Sequence, residues 1–198
     1  MKNIVFDLGG VVVARDRHQC GEEFASFFAF VCTDPLPDYW TEYDRGTKTR
    51  EEVEAIMAGI KGCPIERCRW AIDQAISLQA PIAPTERLIG DLKARGYRLY
   101  VLSNMSYEFI DFIRRFDVYR NFDGEVVSCE EKMVKPEPGI YECLLTRYSL
   151  DPAETLFIDD RAVNLRTAEK LGLSTFHFRE PREESCAALR RMLLGESC

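Results

Sequence analysis

The chain has 198 residues, with 26 basic and 33 acidic side chains, a formal charge of −7 and 46% hydrophobic residues. That balance fits an ordinary globular protein with one sizeable core and argues against non-specific binding to nucleic acid or to an anionic membrane. No apolar run is long enough to span a bilayer and the first residues lack the pattern of a signal peptide, so a cytoplasmic monomer with no nucleic-acid or membrane partner is expected.

The eight cysteines (Cys20, Cys32, Cys63, Cys68, Cys129, Cys143, Cys186, Cys198) form no CxxC pair. The two histidines, His18 and His177, do not stand in zinc-ligand spacing with them. Free thiols are expected rather than a disulfide framework or a structural zinc.

The first strand spans residues 3–8: Ile4, Val5 and Phe6 form an apolar run that ends at Asp7, with Gly9 and Gly10 following and Val11–Val13 apolar again. Residues 18–32 carry Phe24, Phe27, Phe28 and Val31 at helical spacing until Pro35 and Pro37 break the pattern. A short helix over 38–44 holds Trp40 and Tyr43, and Arg45-Gly46 is a turn. Thr49 and Glu52 make a capping box that opens a helix with Val53, Ile56, Met57 and Ile60. After Gly62 and Pro64, residues 65–77 form a further helix with Cys68, Ala71, Ile72 and Ala75 on one side. No strand is evident between residues 16 and 80.

From Pro84 the pattern alternates. A helix over 84–95 stops at Gly96 and a strand over 97–102 ends at Ser103-Asn104. A helix over 106–115, a strand over 122–128, the Lys135–Pro138 loop and a helix over 138–147 follow. A strand over 155–158 ends at Asp159-Asp160, and a helix over 161–171, a strand over 173–178 and a helix over 182–194 complete the chain. Such alternation requires an α/β fold with a doubly wound, mostly parallel, Rossmann-like sheet. Residues 1–15 and 81–198 form its core domain, and residues 16–80 a helical cap subdomain inserted after the first strand.

In a parallel sheet the carboxyl ends of the strands share one edge. Asp7, Ser103 and Asp159-Asp160 all terminate apolar strands, and Lys135 lies in a loop after a fourth. Each has a plain local reading: a strand-end aspartate as a turn former, Ser103-Asn104 as a helix N-cap, a lysine before proline as a solvated loop charge. Together they describe a site. Carboxylates from two strands can converge on one hard cation, and oxygen ligands without histidine suit Mg²⁺. Ser103 offers a hydroxyl and Lys135 a positive charge for phosphate oxygens.

The order FDLGGVV at the start, LSN at 102–104, VKPEP at 134–138 and FIDD at 157–160 resembles the haloacid dehalogenase-like (HAD-like) hydrolases over the whole chain. The opening, the WTEYDRGTKTREEV stretch and the DDRAVN stretch look most like the branch that holds the bacterial glucose-1-phosphate phosphatase. The resemblance implies a Mg²⁺-dependent phosphatase acting on a small phosphorylated substrate, a sugar phosphate foremost. Asp7 would be the nucleophile and Lys135 would position it. Ser103, the backbone around Asn104 and Lys135 would hold the phosphoryl group. Asp7, the carbonyl of Gly9, Asp160 and Asp159 would form the metal site, Asp159 through a water, with Asn164 behind them. His18 and Arg45 of the cap would reach the substrate, with Trp40 and Tyr43 as further contributors, Trp40 more in keeping with the cap's core.

One position departs from the pattern. Phosphatases of this superfamily usually carry a second aspartate, the general acid, where this chain has Gly9. The alternatives are therefore a substrate with a good leaving group, a proton from elsewhere, or a weakly active or non-catalytic descendant. A metal-independent 2-haloacid dehalogenase is a further alternative, opposed by the Asp159-Asp160 pair.

Overall fold

The computed structural model describes residues 1–15, 21–33 and 35–195. Its centre is a five-stranded parallel sheet of β1 (Asn3–Phe6), β4 (Arg98–Ser103), β5 (Gly124–Val127), β6 (Thr155–Asp159) and β7 (Ser174–His177). The strand order is β5-β4-β1-β6-β7, with β1 in the middle. Phe6 stands level with Val101 on one side and with Ile158 on the other.

Alternation along the strands divides two apolar cores. Ile4, Phe6, Leu99, Val101, Leu156 and Ile158 point to one face, where α5 (Ala83–Ala94), α6 (Tyr107–Ile113) and α10 (Arg182–Leu194) pack. Val5, Tyr100, Leu102 and Phe157 point to the other, against α8 (Pro138–Arg147) and α9 (Ala162–Lys170). Each of these aliphatic and aromatic side chains, fully withdrawn from water, stabilises the sheet by about 1.5–3 kcal/mol. The doubly wound sheet is the one its alternating sequence requires.

The cap comprises α1 (Glu22–Phe27), a 3-10 turn over Ala29–Cys32, α2 (Asp38–Asp44), α3 (Arg50–Lys61) and α4 (Ile65–Ser77). Its apolar side chains join the first of the two cores instead of closing a core of their own. Trp40 is the junction: its ring meets Phe28, Phe30 and Tyr43 within the cap and Phe109 of α6. Thr49 and Glu52 form the expected capping box at the start of α3. Cys63, Cys68, Cys129, Cys143 and Cys186 are free thiols, as expected. Among the described residues no helix is long and apolar enough to cross a membrane.

Several local expectations change. Val13–Arg15 (β2) and Gln79–Pro81 (β3) form a short antiparallel ribbon at the root of the cap, and β3 falls at the end of the 16–80 stretch expected to hold no strand. Three residues carrying glutamine and proline have no strand propensity of their own, and the pairing of Val13 with Pro81 makes the ribbon. The helical pattern of 18–32 breaks after Phe27, and Val31 lies exposed rather than inward. Ser128, expected to end the strand over 122–128, instead opens a helical turn, α7 (Ser128–Glu131).

The cap also buries a charge. Glu54 on α3 is 1% exposed and accepts from Arg50 at 2.8 Å and from Arg69 of α4 at 3.2 Å. It therefore ties the two longest cap helices together. Glu54→Ala is expected to lower unfolding free energy by about 2 kcal/mol, less than for a fully buried pair because both arginines reach solvent. Urea unfolding checks this; no change in midpoint would mean that packing alone holds α3 on α4.

Candidate active site

The sheet order decides which groups meet. β4 and β6 flank β1, so their last residues, Ser103 and Asp159, lie on either side of Asp7, the residue after β1. The amide of Asp7 still donates to Ile158 at 2.9 Å, which continues the ladder one residue past the strand. The chain then turns sharply: the carbonyl of Leu8 accepts from the amides of Val11, Val12 and Val13 at 2.8–3.2 Å.

Oδ1 of Asp7 accepts from three donors: the amide of Leu8 at 2.7 Å, Oγ of Ser103 at 2.7 Å and Nζ of Lys135 at 2.9 Å. Lys135 also donates to the carbonyl of Leu102 at 2.9 Å and to Oδ2 of Asp159 at 2.7 Å. Its ammonium lies 5.4 Å from the ring centroid of Phe157 beneath it. Burial alone would lower the lysine's pKa, but Asp159 and Asp7 outweigh it and hold the pKa above the ordinary lysine value. The lysine is thus a fixed cation.

Asp159 is fully buried and fully bonded. Its Oδ1 accepts from the amide of Arg161 at 2.7 Å, and Nδ2 of Asn164 lies 3.0 Å from both carboxylate oxygens. Asp160 sits at the mouth instead. Burial, with Asp7 and Asp159 nearby, pushes its carboxyl up to about 7. Asp7, Asp159 and Asp160 each offer a carboxylate oxygen within 4.8 Å of the others. One lysine leaves that trio with an excess of negative charge, and an all-oxygen donor set fits a hard divalent cation. Gly10 preserves the space: it has φ +77°, and a Cβ there would stand 2.5 Å from Oδ2 of Asp160.

The structure therefore brings together Asp7, Ser103, Lys135, Asp159, Asp160 and Asn164. Three of the expected residues have side-chain partners in the structure. Asn104, expected at the phosphoryl group, uses its side chain as a main-chain mimic. Its Oδ1 accepts from the amide of Lys135 at 2.7 Å and its Nδ2 donates to the carbonyl of Lys135 at 2.9 Å. Asn164 holds Asp159. Arg45, expected to reach substrate, forks onto Glu137 at 2.8 and 2.9 Å and donates to Glu42 at 3.1 Å. Tyr43 donates to Glu108 at 2.7 Å, and Trp40 is core. His18 lies outside the described residues.

Two residues that the sequence did not single out belong here. Asp44, the last residue of α2, brings a cap carboxyl within electrostatic reach of Asp7. Burial pushes it up to about 7, opposed by the Ser106 amide and reinforced by Asp7. Glu137 closes the turn that carries Lys135. Both lie in stretches that carry the resemblance, WTEYDRGTKTREEV and VKPEP, but a lone aspartate and a loop glutamate have no spacing of their own to mark them as site residues.

Known proteins resemble this chain in sequence and in fold. The profile of the haloacid dehalogenase-like hydrolases matches residues 1–172. The chain is 23% identical to the sesquiterpene phosphatase astK of Aspergillus oryzae, over 97% of this chain and 96% of that one. It is 25% identical to the D-ribitol-5-phosphate phosphatase of Bacteroides thetaiotaomicron, over 89% of this chain and 91% of that one. A HAD family enzyme from Bacteroides thetaiotaomicron, crystallised as the wild-type protein in complex with magnesium and inorganic phosphate, superposes with a TM-score of 0.71 at 28% identity. That superposition covers 90% of this chain and 94% of the other.

Asp160→Asn tests the cation site. Added Mg²⁺ should raise the melting temperature of the wild type and raise that of the variant far less, with affinity down by about tenfold or more. Without metal the order reverses. Asp160 binds its proton more tightly folded than unfolded, so its contribution falls as pH rises from about 3.8 to about 7. The variant escapes that loss and should be the more stable metal-free protein above neutral pH. Equal Mg²⁺ shifts in the two proteins would remove Asp160 from the cation site.

Proposed function

The chain belongs to the haloacid dehalogenase-like hydrolase family, and on that premise we propose that it is a Mg²⁺-dependent phosphomonoester hydrolase. The reaction runs through an aspartyl-phosphate on Asp7, in a cytoplasmic monomer, and the substrate is a small phosphorylated metabolite, sugar phosphates foremost. The observation that carries this reading is the convergence of Lys135 and Ser103 on Oδ1 of Asp7, beside two further carboxylates. Two relatives are phosphatases whose names point to different organic groups, so the feature they share with this chain is the phosphoryl chemistry. The preference for sugar phosphates rests on the likeness of the opening, the cap stretch and the DDRAVN stretch to the glucose-1-phosphate phosphatase branch.

Asp7, Asp160 and the carbonyl of Gly9 would hold Mg²⁺, with Asp159 behind them; the ion supplies charge neutralisation that lets an anionic phosphate approach a carboxylate. The protein's own groups do the rest. The Asp7 carboxylate attacks phosphorus, the bond to the leaving oxygen breaks, and that oxygen takes up a proton. Lys135 and Ser103, which already point at Asp7, can donate to the phosphoryl oxygens as charge builds on them. Water then attacks the phosphorus of the acyl phosphate, breaking its bond to the Asp7 oxygen and releasing inorganic phosphate. A metal-independent dehalogenase reading is disfavoured because Lys135 is already shared by Asp7 and Asp159, so that without a metal ion the Asp160 charge would repel a carboxylate substrate.

Asp7→Asn should reduce phosphate release from a panel of sugar phosphates by about a thousandfold or more, with the fold intact by circular dichroism. An unchanged rate would remove the covalent mechanism.

Position 9 tests the missing acid. Gly9 lies outside the left-handed region, and no atom stands within 4 Å of where its Cβ would be. A side chain can therefore leave the backbone at position 9 without strain or a clash at its Cβ. Gly9→Asp should raise kcat/KM for primary alkyl phosphates several-fold and leave p-nitrophenyl phosphate nearly unchanged, since that leaving group needs little protonation. Equal changes for both would show that position 9 has no acid role.

A further inference from the structure

The turn that ends α2 is docked on the core at several points. Oγ of Ser128 donates to the carbonyl of Asp44. Nζ of Lys132 donates to the carbonyl of Gly46 at 2.6 Å. Gly46 itself has φ +73°, and a Cβ there would stand 2.6 Å from the carbonyl oxygen of Cys129, so glycine permits the close approach. Between these contacts Arg45 makes two parallel bonds to Glu137, Nη1 to Oε2 at 2.9 Å and Nη2 to Oε1 at 2.8 Å. Nη1 also lies 3.4 Å from the carbonyl of Lys132.

Glu137 belongs to the turn that presents Lys135. Its amide donates to the carbonyl of Val134 at 2.8 Å, and its Oε2 accepts from the amide of Val134 at 3.2 Å. The carboxylate thus closes residues 134–137 on one side while Asn104 clamps the main chain of Lys135 on the other. Arg45 reaches the ammonium on Asp7 through one carboxylate and one turn.

We propose that Arg45 is a positioning residue that couples docking of the cap to alignment of Lys135 on Asp7. The proposal rests on the phosphatase reading for its kinetic consequences and on the geometry alone for its structural one. With the cap docked, the guanidinium fork fixes both oxygens of Glu137, and Glu137 fixes the lysine turn. With the cap lifted, Glu137 keeps only the 3.2 Å bond from the Val134 amide, and that side of the Lys135 frame is loosened. Substrate held under the docked cap therefore meets an aligned lysine, and small misplacements of such a group cost rate. The pair is part exposed, Arg45 20% and Glu137 44% at the side chain, so it adds little to overall stability. Its effect belongs in turnover.

The experiment is a double-mutant cycle on p-nitrophenyl phosphate with Arg45→Met, Glu137→Gln and both together. Amide hydrogen exchange of residues 133–137 is measured on the same proteins. Each single variant should lower kcat by about tenfold and leave KM within about twofold, and the double variant should lose no more than either alone. Arg45→Lys should recover only part of the rate, because a point charge cannot make two parallel bonds. Exchange in the 133–137 turn should quicken in Arg45→Met with no drop in melting temperature. A raised KM at unchanged kcat would make Arg45 a substrate ligand and overturn the proposal. Multiplicative losses in the double variant, or unchanged exchange, would also overturn it. If the wild type releases no phosphate, the phosphatase reading fails, and exchange in the turn still decides whether Arg45 holds it.

Discussion

One buried ammonium organises the site. Lys135 is withdrawn from water at the carboxyl edge of a parallel sheet, between a carboxylate that follows β1 and one that ends β6. Without the lysine, two carboxylates would be buried side by side with no cation. Without the carboxylates, the ammonium could not keep its charge at that depth. The surrounding contacts maintain this balance: Asn104 holds the lysine's main chain, Glu137 closes the turn through Val134, and Asn164 with the Arg161 amide holds Asp159. The excess negative charge that remains, concentrated at Asp160, gives a cation its place.

The sheet makes that balance possible. β1 lies in the middle of the sheet between β4 and β6 and is buried on both faces, so Asp7 is flanked by Ser103 and Asp159. The cap shares an apolar core with one face of the sheet through Trp40 and Phe109, and meets the catalytic edge through polar contacts of the α2 turn. An apolar anchor with a polar rim suits a cap that stays attached while its edge adjusts to substrate.

Much of this was legible in the sequence. Buried parallel strands read as unbroken apolar runs, and each run ended on a residue with chemistry to offer, so Asp7, Ser103, Asp159 and Asp160 could be found by looking at strand ends. The lysine followed from its loop. Side-chain partnerships were not legible. Arg45 beside a glycine turn reads as a ligand, and nothing in the sequence shows that Glu137, 92 residues later, takes both of its terminal nitrogens. Asn104 looks like an N-cap or a phosphate donor until the main chain of Lys135 pairs with both ends of its amide. The β2–β3 ribbon was hidden for the same reason: its residues have no local preference for a strand, and only the closure of the cap brings them together.

The central claim is that Asp7, held by Lys135 and Ser103, becomes phosphorylated during turnover. Acid quenching within a single turnover, followed by mass spectrometry of the peptide that carries Asp7, tests it directly. The account predicts the mass of one phosphoryl group on that peptide, on Asp7 and on no other residue, appearing and decaying at rates consistent with phosphate release. Steady turnover with an unmodified Asp7 at every quench time, or phosphate first appearing on another side chain, would contradict it.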